Sequence, residues 1–204
     1  KGAVKDSGVL FLLNKFIEVK TGEAPFGRNF NFKNSPKSVR EKIDLCKRSI
    51  LIDDMPLIVG VGDTVTSKQN NDEKSYLRGG SDRSFLEFIQ ILGNEFGINN
   101  KIIFVDSSSG EVERPSTKKT GLIGISDFYD NLKFDIVFKN GPKEYISWFI
   151  ELANKRSNFK KYSWLFNFEW KFINNIFMKE KFPSIYKEPI ETLQINIGYK
   201  CNQA

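Results

Sequence analysis

The sequence predicts an α/β layered domain, in which short buried strands alternate with amphipathic helices. Two continuous apolar runs rich in β-branched residues, 57–61 and 102–105, are typical of strands buried on both faces, and 134–138 is a third candidate. Apolar residues recur at helical spacing from 81 to about 93 and again from 142 onward. Strand, helix, strand and helix in this order favour a layered α/β fold.

The segment before the first predicted strand is less regular. Val9–Val19 is apolar and fits either a helix or a strand, and Thr21–Asn34, rich in Gly, Pro and Asn, is predicted to be a loop. Ser35 and Pro36 predict the start of a helix over residues 36–48, because Ser is a favoured N-cap and Pro is favoured at the first helical position.

Two further helices and a polar loop are predicted downstream. Ser81-Asp82 offers an N-cap for the second helix, and Gly141-Pro142 opens the third. The polar stretch Lys68–Lys74 is predicted to be a loop. The residues from 157 onward are dense in aromatic side chains and are predicted to form a helical extension that packs on the core.

Composition excludes several chemistries. The chain has 204 residues, no His, two Cys and a formal charge of +6. A Ser/His/Asp triad, a Cys/His nucleophile and His-ligated zinc are therefore excluded. The scarcity of Cys favours a reducing cytoplasm. The basic charge suits an anionic ligand, and because the basic residues are scattered we expect neither nucleic acid nor a membrane as the partner.

The turn after the first predicted strand is the strongest candidate site. In open α/β sheets, ligands bind beyond the carboxyl ends of strands, and Asp63 lies there directly after Gly62. A carboxylate in that place can hold Mg²⁺, which prefers oxygen ligands, and the hydroxyls of Thr64, Thr66 and Ser67 can bind its waters or phosphate oxygens. An ordinary Asp turn is the alternative interpretation.

A lysine just before the first predicted helix adds a second candidate. Lys33 precedes the Ser35-Pro36 cap, where the helix macrodipole disfavours a cation. Such a placement suggests a role in neutralising a phosphate and a carboxylate. A surface lysine without function is the alternative, and Lys37 is the other candidate.

Two polar loops complete the predicted site. Arg78-Gly79-Gly80-Ser81-Asp82-Arg83 combines anion-binding arginines with glycines that allow close backbone approach, and Asp82 can cap a helix or reach a metal. The stretch 106–111 follows the second predicted strand and is just as polar. Plain loops are the alternative interpretation for both. The predicted substrate-binding residues are Thr64, Thr66, Ser67, Arg78, Gly79, Gly80, Asp106, Ser107 and Glu111.

These motifs resemble those of a known enzyme family. A lysine before a capped helix, an apolar strand and then Gly-Asp resemble the third and fourth motifs of haloacid-dehalogenase-like (HAD-like) phosphatases. Four stretches together are more specific: residues 60–67, 77–83, 105–112 and 134–138. As a set they are similar to the cyanobacterial glucosylglycerol-phosphate phosphatases, the salt-tolerance phosphatases. The resemblance runs from about residue 32 to about 153.

The resemblance implies a fold and an activity. The fold is a HAD-like Rossmannoid layered sheet with helices on both faces, apparently without its N-terminal strand. Residues 1–32 would end an upstream or cap segment, 33–156 would form the C-terminal part of the core, and 157–204 the extension. The implied reaction is Mg²⁺-dependent hydrolysis of glucosylglycerol 3-phosphate to glucosylglycerol, a compatible solute.

The resemblance also implies roles for particular residues. Lys33 would orient the nucleophile and the phosphate, and Asp63 would hold Mg²⁺. Ser67 stands where the family's Gly-Asp-x-x-x-Asp motif has its last Asp, so either Asp82 would supply the second carboxylate or a water would take its place.

The chain departs from the family in the nucleophile. The motif Asp-x-Asp-x-Thr or Asp-x-Asp-x-Val does not occur, and Asp53-Asp54 has the wrong spacing. We expect the nucleophile upstream of Lys1, which makes this chain alone an incomplete enzyme. Two other functions stay open: a phosphatase acting on trehalose or sucrose phosphate, since a few hydroxyl contacts set such choices, and a non-catalytic basic binding domain.

Overall fold

A computed structural model describes residues 5–71, 75–110, 113–161 and 192–196, with the backbone alone for 156–161 and 192–196. Its helices and strands follow in chain order: α1 (Lys5–Thr21), α2 (Val39–Ser49), β1 (Leu57–Gly62), β2 (Thr66–Gln69), β3 (Tyr76–Gly79), α3 (Arg83–Phe96), β4 (Lys101–Val105), α4 (Thr117–Thr120), β5 (Ile136–Phe138), α5 (Pro142–Lys161) and β6 (Thr192–Asn196).

A parallel sheet forms the centre of the fold. Its strand order is β5-β4-β1-β6, with Val61 of β1 opposite Ile103 of β4 and Phe104 of β4 opposite Val137 of β5. All six residues of β1 are buried, as expected for an interior strand covered on both faces. The predicted α/β class is confirmed, and so are the predicted strands at 57–61 and 102–105.

Helices cover both faces of this sheet. On one face α3 buries Phe85, Phe88 and Leu92 completely, in the stripe that the sequence predicts. On the other face Tyr145 and Trp148 of α5 pack against the cluster that contains Val59, Val61 and Phe138 of the sheet. Each fully buried large apolar side chain contributes about 1.5–3 kcal/mol.

The structure decides the interpretation of Val9–Val19. It belongs to helix α1, in which Val9, Leu10 and Leu13 are fully buried at helical spacing. These side chains join the same core cluster as α3. A strand would have directed successive side chains to opposite faces, and the core lies on one side only.

The predicted start of the first core helix is wrong. Helix α2 begins after Ser38, not at Ser35-Pro36. The Ser38 hydroxyl accepts a hydrogen bond from the Glu41 amide at 3.2 Å, and the Glu41 carboxylate accepts one from the Ser38 amide at 3.1 Å. This capping box satisfies two of the amides at the start of α2, where the first amides have no partner within the helix.

Two other predicted segments also differ. The stretch predicted as a polar loop at 68–74 contains strand residues, because β2 and β3 pair antiparallel, with Ser67 opposite Arg78. Within the predicted helical extension 157–204, Thr192–Asn196 forms a strand that pairs with β1 and fills the edge of the sheet on that side. The remaining predictions for the aromatic tail, from 162 onward, lie outside the described residues.

No helix in the described part of the chain combines the length and the apolar character needed to cross a bilayer.

One buried ion pair joins α1 to α2. The ammonium of Lys42 lies 2.7 Å from the Asp6 carboxylate, and the two side chains are 1% and 4% exposed. A charge this deep is tolerated only when it is paired, because removing one partner leaves the other without compensation in an apolar environment.

Asp6→Asn is therefore expected to destabilise the protein by about 3–5 kcal/mol, as measured by urea unfolding. Glu95→Gln is the matched control, because it neutralises an acid in the exposed pair of Lys47 and Glu95, which are 50% and 39% exposed. That variant should lose less than about 1 kcal/mol. Equal losses in the two variants would contradict a stabilising role for the buried pair.

Candidate functional site

The turn that follows β1 places Asp63 at the carboxyl end of an interior strand. Asp82, directly before α3, holds this turn: one oxygen of its carboxylate accepts hydrogen bonds from the amides of Asp63 and Thr64, at 2.8 and 2.9 Å. The Asp82 amide in turn donates to the Thr64 carbonyl oxygen at 3.0 Å. Asp82 is buried, so water does not compete for these bonds. The turn is thus fixed before any ligand binds.

The Asp63 carboxylate interacts with a hydroxyl and a guanidinium. The Thr64 hydroxyl donates to Oδ1 at 2.8 Å, and Arg114 Nη1 donates to Oδ2 at 2.8 Å. The same Nη1 lies 3.4 Å from the Asp63 carbonyl oxygen and 2.5 Å from the Ser107 hydroxyl. The Asp63 side chain is 32% exposed, so a ligand can reach it from solvent.

These contacts keep Asp63 ionised. Burial by itself raises the pKa of the Asp63 carboxyl, but the hydrogen bond from Thr64 and the positive charge of Arg114 outweigh it and hold the pKa below its ordinary value. Asp63 is therefore an anion at neutral pH and can accept a hydrogen bond or bind a cation.

Lys5 reaches the same turn from α1. Its ammonium pairs with Oδ1 of Asp82 and lies 3.3 Å from the Ser81 hydroxyl. Lys5 is the first residue of α1, where the helix macrodipole disfavours a cation, and the buried Asp82 carboxylate offsets this. Lys5 thus brings a positive charge to the carboxylate that holds the Asp63 turn.

Asp106 closes the loop that carries Ser107 and Arg114. Its Oδ1 accepts from the Ser108 amide at 2.8 Å, and its Oδ2 accepts from the amide and the hydroxyl of Thr117 at 2.7 and 2.6 Å. Burial raises the pKa of the Asp106 carboxyl, but the hydrogen bonds from Ser108 and Thr117 lower it further than burial raises it. An ionised carboxylate bonded at both ends of the loop limits where Arg114 can lie.

Two more aspartates fasten the hairpin and α3 to the following segment. Asp127 accepts from the Ser67 hydroxyl at 2.5 Å and from Nε and Nη2 of Arg78 at 2.9 and 2.8 Å. Asp130 accepts from both Nη atoms of Arg83 at 2.9 and 2.6 Å. The Arg78 guanidinium holds the pKa of the Asp127 carboxyl well below its usual range. A lone hairpin is marginally stable, so these bonds hold it beside the site.

A cavity of about 230 Å³ opens beside the Asp63 turn. Charged side chains, hydroxyls and apolar groups all line it: Asp63, Thr64, Val65, Thr66, Phe104, Ser107, Glu113, Arg114, Pro115 and Ile125. A mainly apolar wall with a few convergent polar groups is the usual composition of a small-molecule site.

The structure brings four of the predicted site residues together at this cavity. Asp63, Thr64, Thr66 and Ser107 all line it, although the first three lie between the end of β1 and the start of β2 and Ser107 lies after β4. These residues meet because they follow β1 and β4, two neighbouring parallel strands that end at the same edge of the sheet. Their metal-binding and substrate-binding roles stay predictions.

Other predicted residues support the site rather than line the cavity. Ser67 and Arg78 bond to Asp127, and Gly79 pairs with Thr66 in the hairpin. Asp82 and Asp106, described above, use their carboxylates to hold loops. The predicted substrate-binding and metal-binding roles of these residues are not tested by these contacts and stay predictions.

Gly80, Lys33 and Glu111 are the remaining three predicted residues. Gly80 lies against the Thr64 carbonyl oxygen, and its substrate-binding role stays a prediction. Lys33 lies in an exposed turn, where its amide donates to the Asn31 side chain at 2.9 Å. The helix start that suggested a role for it lies at Ser38, so that premise is wrong, while the catalytic role itself stays a prediction. Glu111 lies outside the described residues.

Three charged residues near the site are not predicted from the sequence: Glu113 and Arg114, which line the cavity, and Lys5, which contacts Asp82. Glu113 and Arg114 follow the predicted polar stretch 106–111, and only their position before Pro115 marks them in the sequence. Lys5 precedes an apolar run whose helical character was undecided. The reasoning applied to Lys33, a cation at a helix N-terminus, fits Lys5 as soon as α1 is known to be a helix.

The residues present fit a magnesium ion through a single carboxylate. Among the described residues no group of three or more Asp, Glu, Cys or His side chains converges as a metal site. Mg²⁺ needs no such cage, since it keeps several waters and is commonly held by one or two carboxylates with substrate phosphates. Asp63, with the Thr64 and Ser107 hydroxyls beside it, is an oxygen donor set of that kind.

The fold and the site define a class of protein first. Polar groups beyond the carboxyl end of an interior parallel strand, around a small cavity, are typical of α/β domains that bind a small ligand. A family model described as glucosylglycerol-phosphate phosphatase matches residues 1–153. The chain belongs to this family.

A relative agrees with that assignment. A curated protein from Synechocystis sp., named glucosylglycerol-phosphate phosphatase, is 37% identical over 167 residues, and the match covers 76% of this chain. The chain spans 40% of that relative's length. No solved structure matches the chain.

Gly80 gives a test of the turn geometry. Its φ is +100°, and a Cβ there would lie 2.2 Å from the Thr64 carbonyl oxygen. Gly80→Ala should cost about 3 kcal/mol or more, since backbone strain and a backbone clash add. Gly97→Ala is the control, because φ is +67° there and nothing lies within 4 Å. It should cost about 1–2 kcal/mol. Thermal unfolding measures both, and equal losses would show that Gly80 does not pack on Thr64 in this way.

Proposed function

We propose that this chain supplies the metal-binding and phosphate-binding part of a glucosylglycerol 3-phosphate phosphatase that depends on Mg²⁺. The observation that carries the proposal is an ionised Asp63 at the carboxyl end of β1, surrounded by hydroxyls and a guanidinium at a small cavity. The name of the Synechocystis relative supports the substrate. The finer fold assignment, a HAD-like core that lacks its N-terminal strand, rests on the motif resemblance.

Asp63 would hold the magnesium ion through its carboxylate, with Thr64 and Ser107 placed to bind its waters or phosphate oxygens. When bound, Mg²⁺ supplies positive charge that neutralises the phosphate. Asp82 keeps the Asp63 turn in place and, in the sequence-based hypothesis, adds a second carboxylate. Its oxygens are engaged by two amides and Lys5, so we assign it the positioning role.

A cation beside the phosphate is also part of the proposal. The sequence suggests Lys33 for this role, while the Lys5 ammonium contacts the carboxylate of Asp82, which holds the Asp63 turn. We therefore add Lys5 as a candidate. The partner is a sugar phosphate rather than nucleic acid or a membrane, and the proposed compartment is the cytoplasm, on the basis of the low Cys content.

In this proposal the nucleophile lies outside the chain, because no Asp-x-Asp-x-Thr or Asp-x-Asp-x-Val motif occurs in it. The direct test is a hybrid in which the chain replaces the aligned region of the Synechocystis protein. The hybrid should release phosphate from glucosylglycerol 3-phosphate, and EDTA should stop the release until Mg²⁺ is restored. Asp63→Asn should lower the rate at least about 100-fold, since one electrostatic contact in a transition state is worth that much.

Asp53→Asn is the matched control, because Asp53 is an exposed acid in a 3₁₀ turn before β1, and its rate should not change. Full activity of Asp63→Asn would contradict the metal assignment. Faster release from trehalose or sucrose phosphate would contradict the substrate. Lys33→Met in the same hybrid tests the lysine that the sequence suggests: a loss of activity supports Lys33 as the residue that orients the phosphate, and an unchanged rate leaves Lys5 as the candidate.

A further inference from the structure

Arg114 holds a position that the site as proposed does not explain. One nitrogen, Nη1, faces three acceptors at once: Oδ2 of Asp63, the Asp63 carbonyl oxygen and the Ser107 hydroxyl. Nη1 carries two hydrogens, so at most two of these contacts can be strong hydrogen bonds at a time. These contacts place the Arg114 guanidinium directly against the Asp63 carboxylate.

The Asp63 carboxylate cannot serve Arg114 and a metal ion equally. Oδ2 lies 2.8 Å from Arg114 Nη1, and Oδ1 accepts from Thr64. A divalent cation on Asp63 would sit next to the guanidinium, and two positive charges at that distance repel each other. The metal ion and Arg114 therefore compete for the negative charge of Asp63, which weakens the contact between Arg114 and Asp63.

The cavity offers the displaced guanidinium a new partner. Its polar lining consists of the Arg114 guanidinium, the hydroxyls of Thr64, Thr66 and Ser107, and the carboxylates of Asp63 and Glu113. Its volume of about 230 Å³ is below the ~300–1,000 Å³ of sites for drug-sized ligands, so it suits the phosphate end of a substrate rather than a whole sugar phosphate. A guanidinium binds phosphate through two parallel hydrogen bonds, which a lysine cannot do.

We propose that Arg114 is the phosphate-binding arginine of this site and that it exchanges Asp63 for the substrate phosphate when a divalent cation binds Asp63. In the absence of ligand the guanidinium neutralises Asp63. With metal and phosphate present, the metal takes the carboxylate and Arg114 takes the phosphate oxygens. The inference rests on the proposed function, because it concerns the same site.

The experiment measures two affinities on the full 204-residue chain, without any catalysis. Mn²⁺ binding is followed by electron paramagnetic resonance, and inorganic phosphate binding by calorimetry at saturating Mg²⁺. In Arg114→Gln the Mn²⁺ affinity should rise about threefold to tenfold, because a competing cation is gone. The phosphate affinity should fall at least about tenfold, because a charge-assisted hydrogen bond is lost.

Two further variants make the result specific. Arg40→Gln makes the same change on the exposed surface of α2 and should leave both affinities unchanged. Arg114→Lys keeps the charge but not the bidentate geometry, so Mn²⁺ affinity should stay near that of the unmodified chain while phosphate affinity falls. Circular dichroism of each variant reports whether it is folded.

The opposite signs of the two changes are the decisive result. A merely structural Arg114 would lower both affinities in Arg114→Gln or change neither, and either outcome overturns the proposal. If the unmodified chain binds neither Mn²⁺ nor phosphate, this inference fails, whatever the hybrid enzyme does. If both bind and only the response to Arg114→Gln is absent, the inference fails while the proposed function stands.

Discussion

Asp82 accepts hydrogen bonds from the amides of Asp63 and Thr64 with one carboxylate oxygen and pairs with Lys5 through the other. The site depends on this buried carboxylate. It joins the end of β1, the start of α3 and the start of α1, so three elements far apart in the chain meet at one side chain. Hydrogen bonds to a buried charge are worth about 1.5–3 kcal/mol each, enough to keep the Asp63 turn in a single conformation.

Other aspartate carboxylates hold loops around the site in the same way. Asp106 closes the loop that bears Ser107 and Arg114, Asp127 fastens the hairpin, and Asp130 binds the first residue of α3. Although the chain has a formal charge of +6, these aspartate side chains bind loop residues instead of lying exposed on the surface. Their effect is to bring hydroxyls and a guanidinium to one cavity with little freedom to rearrange, which is the condition for selective ligand binding.

Much of the fold could be predicted from the sequence, for identifiable reasons. The strands β1 and β4 are continuous apolar runs, and α3 carries one apolar stripe, so periodicity alone locates them. The start of α2 could not be predicted as well, because Ser35 and Ser38 are both plausible caps, and the reciprocal bond to Glu41 decides between them. Strand β6 lies in an aromatic segment, and its pairing with β1 depends on tertiary contacts.

The parts of the site that lie at the ends of strands could be predicted from the sequence. Asp63 and Ser107 come directly after, or close to, the ends of buried strands, and parallel strands bring such residues together. The partners of those residues were not predictable in the same way. Arg114 is 51 residues from Asp63 and Lys5 is 77 residues from Asp82, and no local pattern reports contacts at such separations. The sequence predicts Asp82 as a metal ligand because it shows that the residue is acidic. It does not show that the side chain is buried.

The most direct test of this account is amide hydrogen exchange at Asp63 and Thr64, measured by NMR in the unmodified chain and in Asp82→Asn. The account predicts that both amides are protected in the unmodified chain and exchange much faster in the variant, while the amide of Val61 within β1 stays protected. Unprotected amides in the unmodified chain, or equal exchange in the two proteins, would show that Asp82 does not hold the turn.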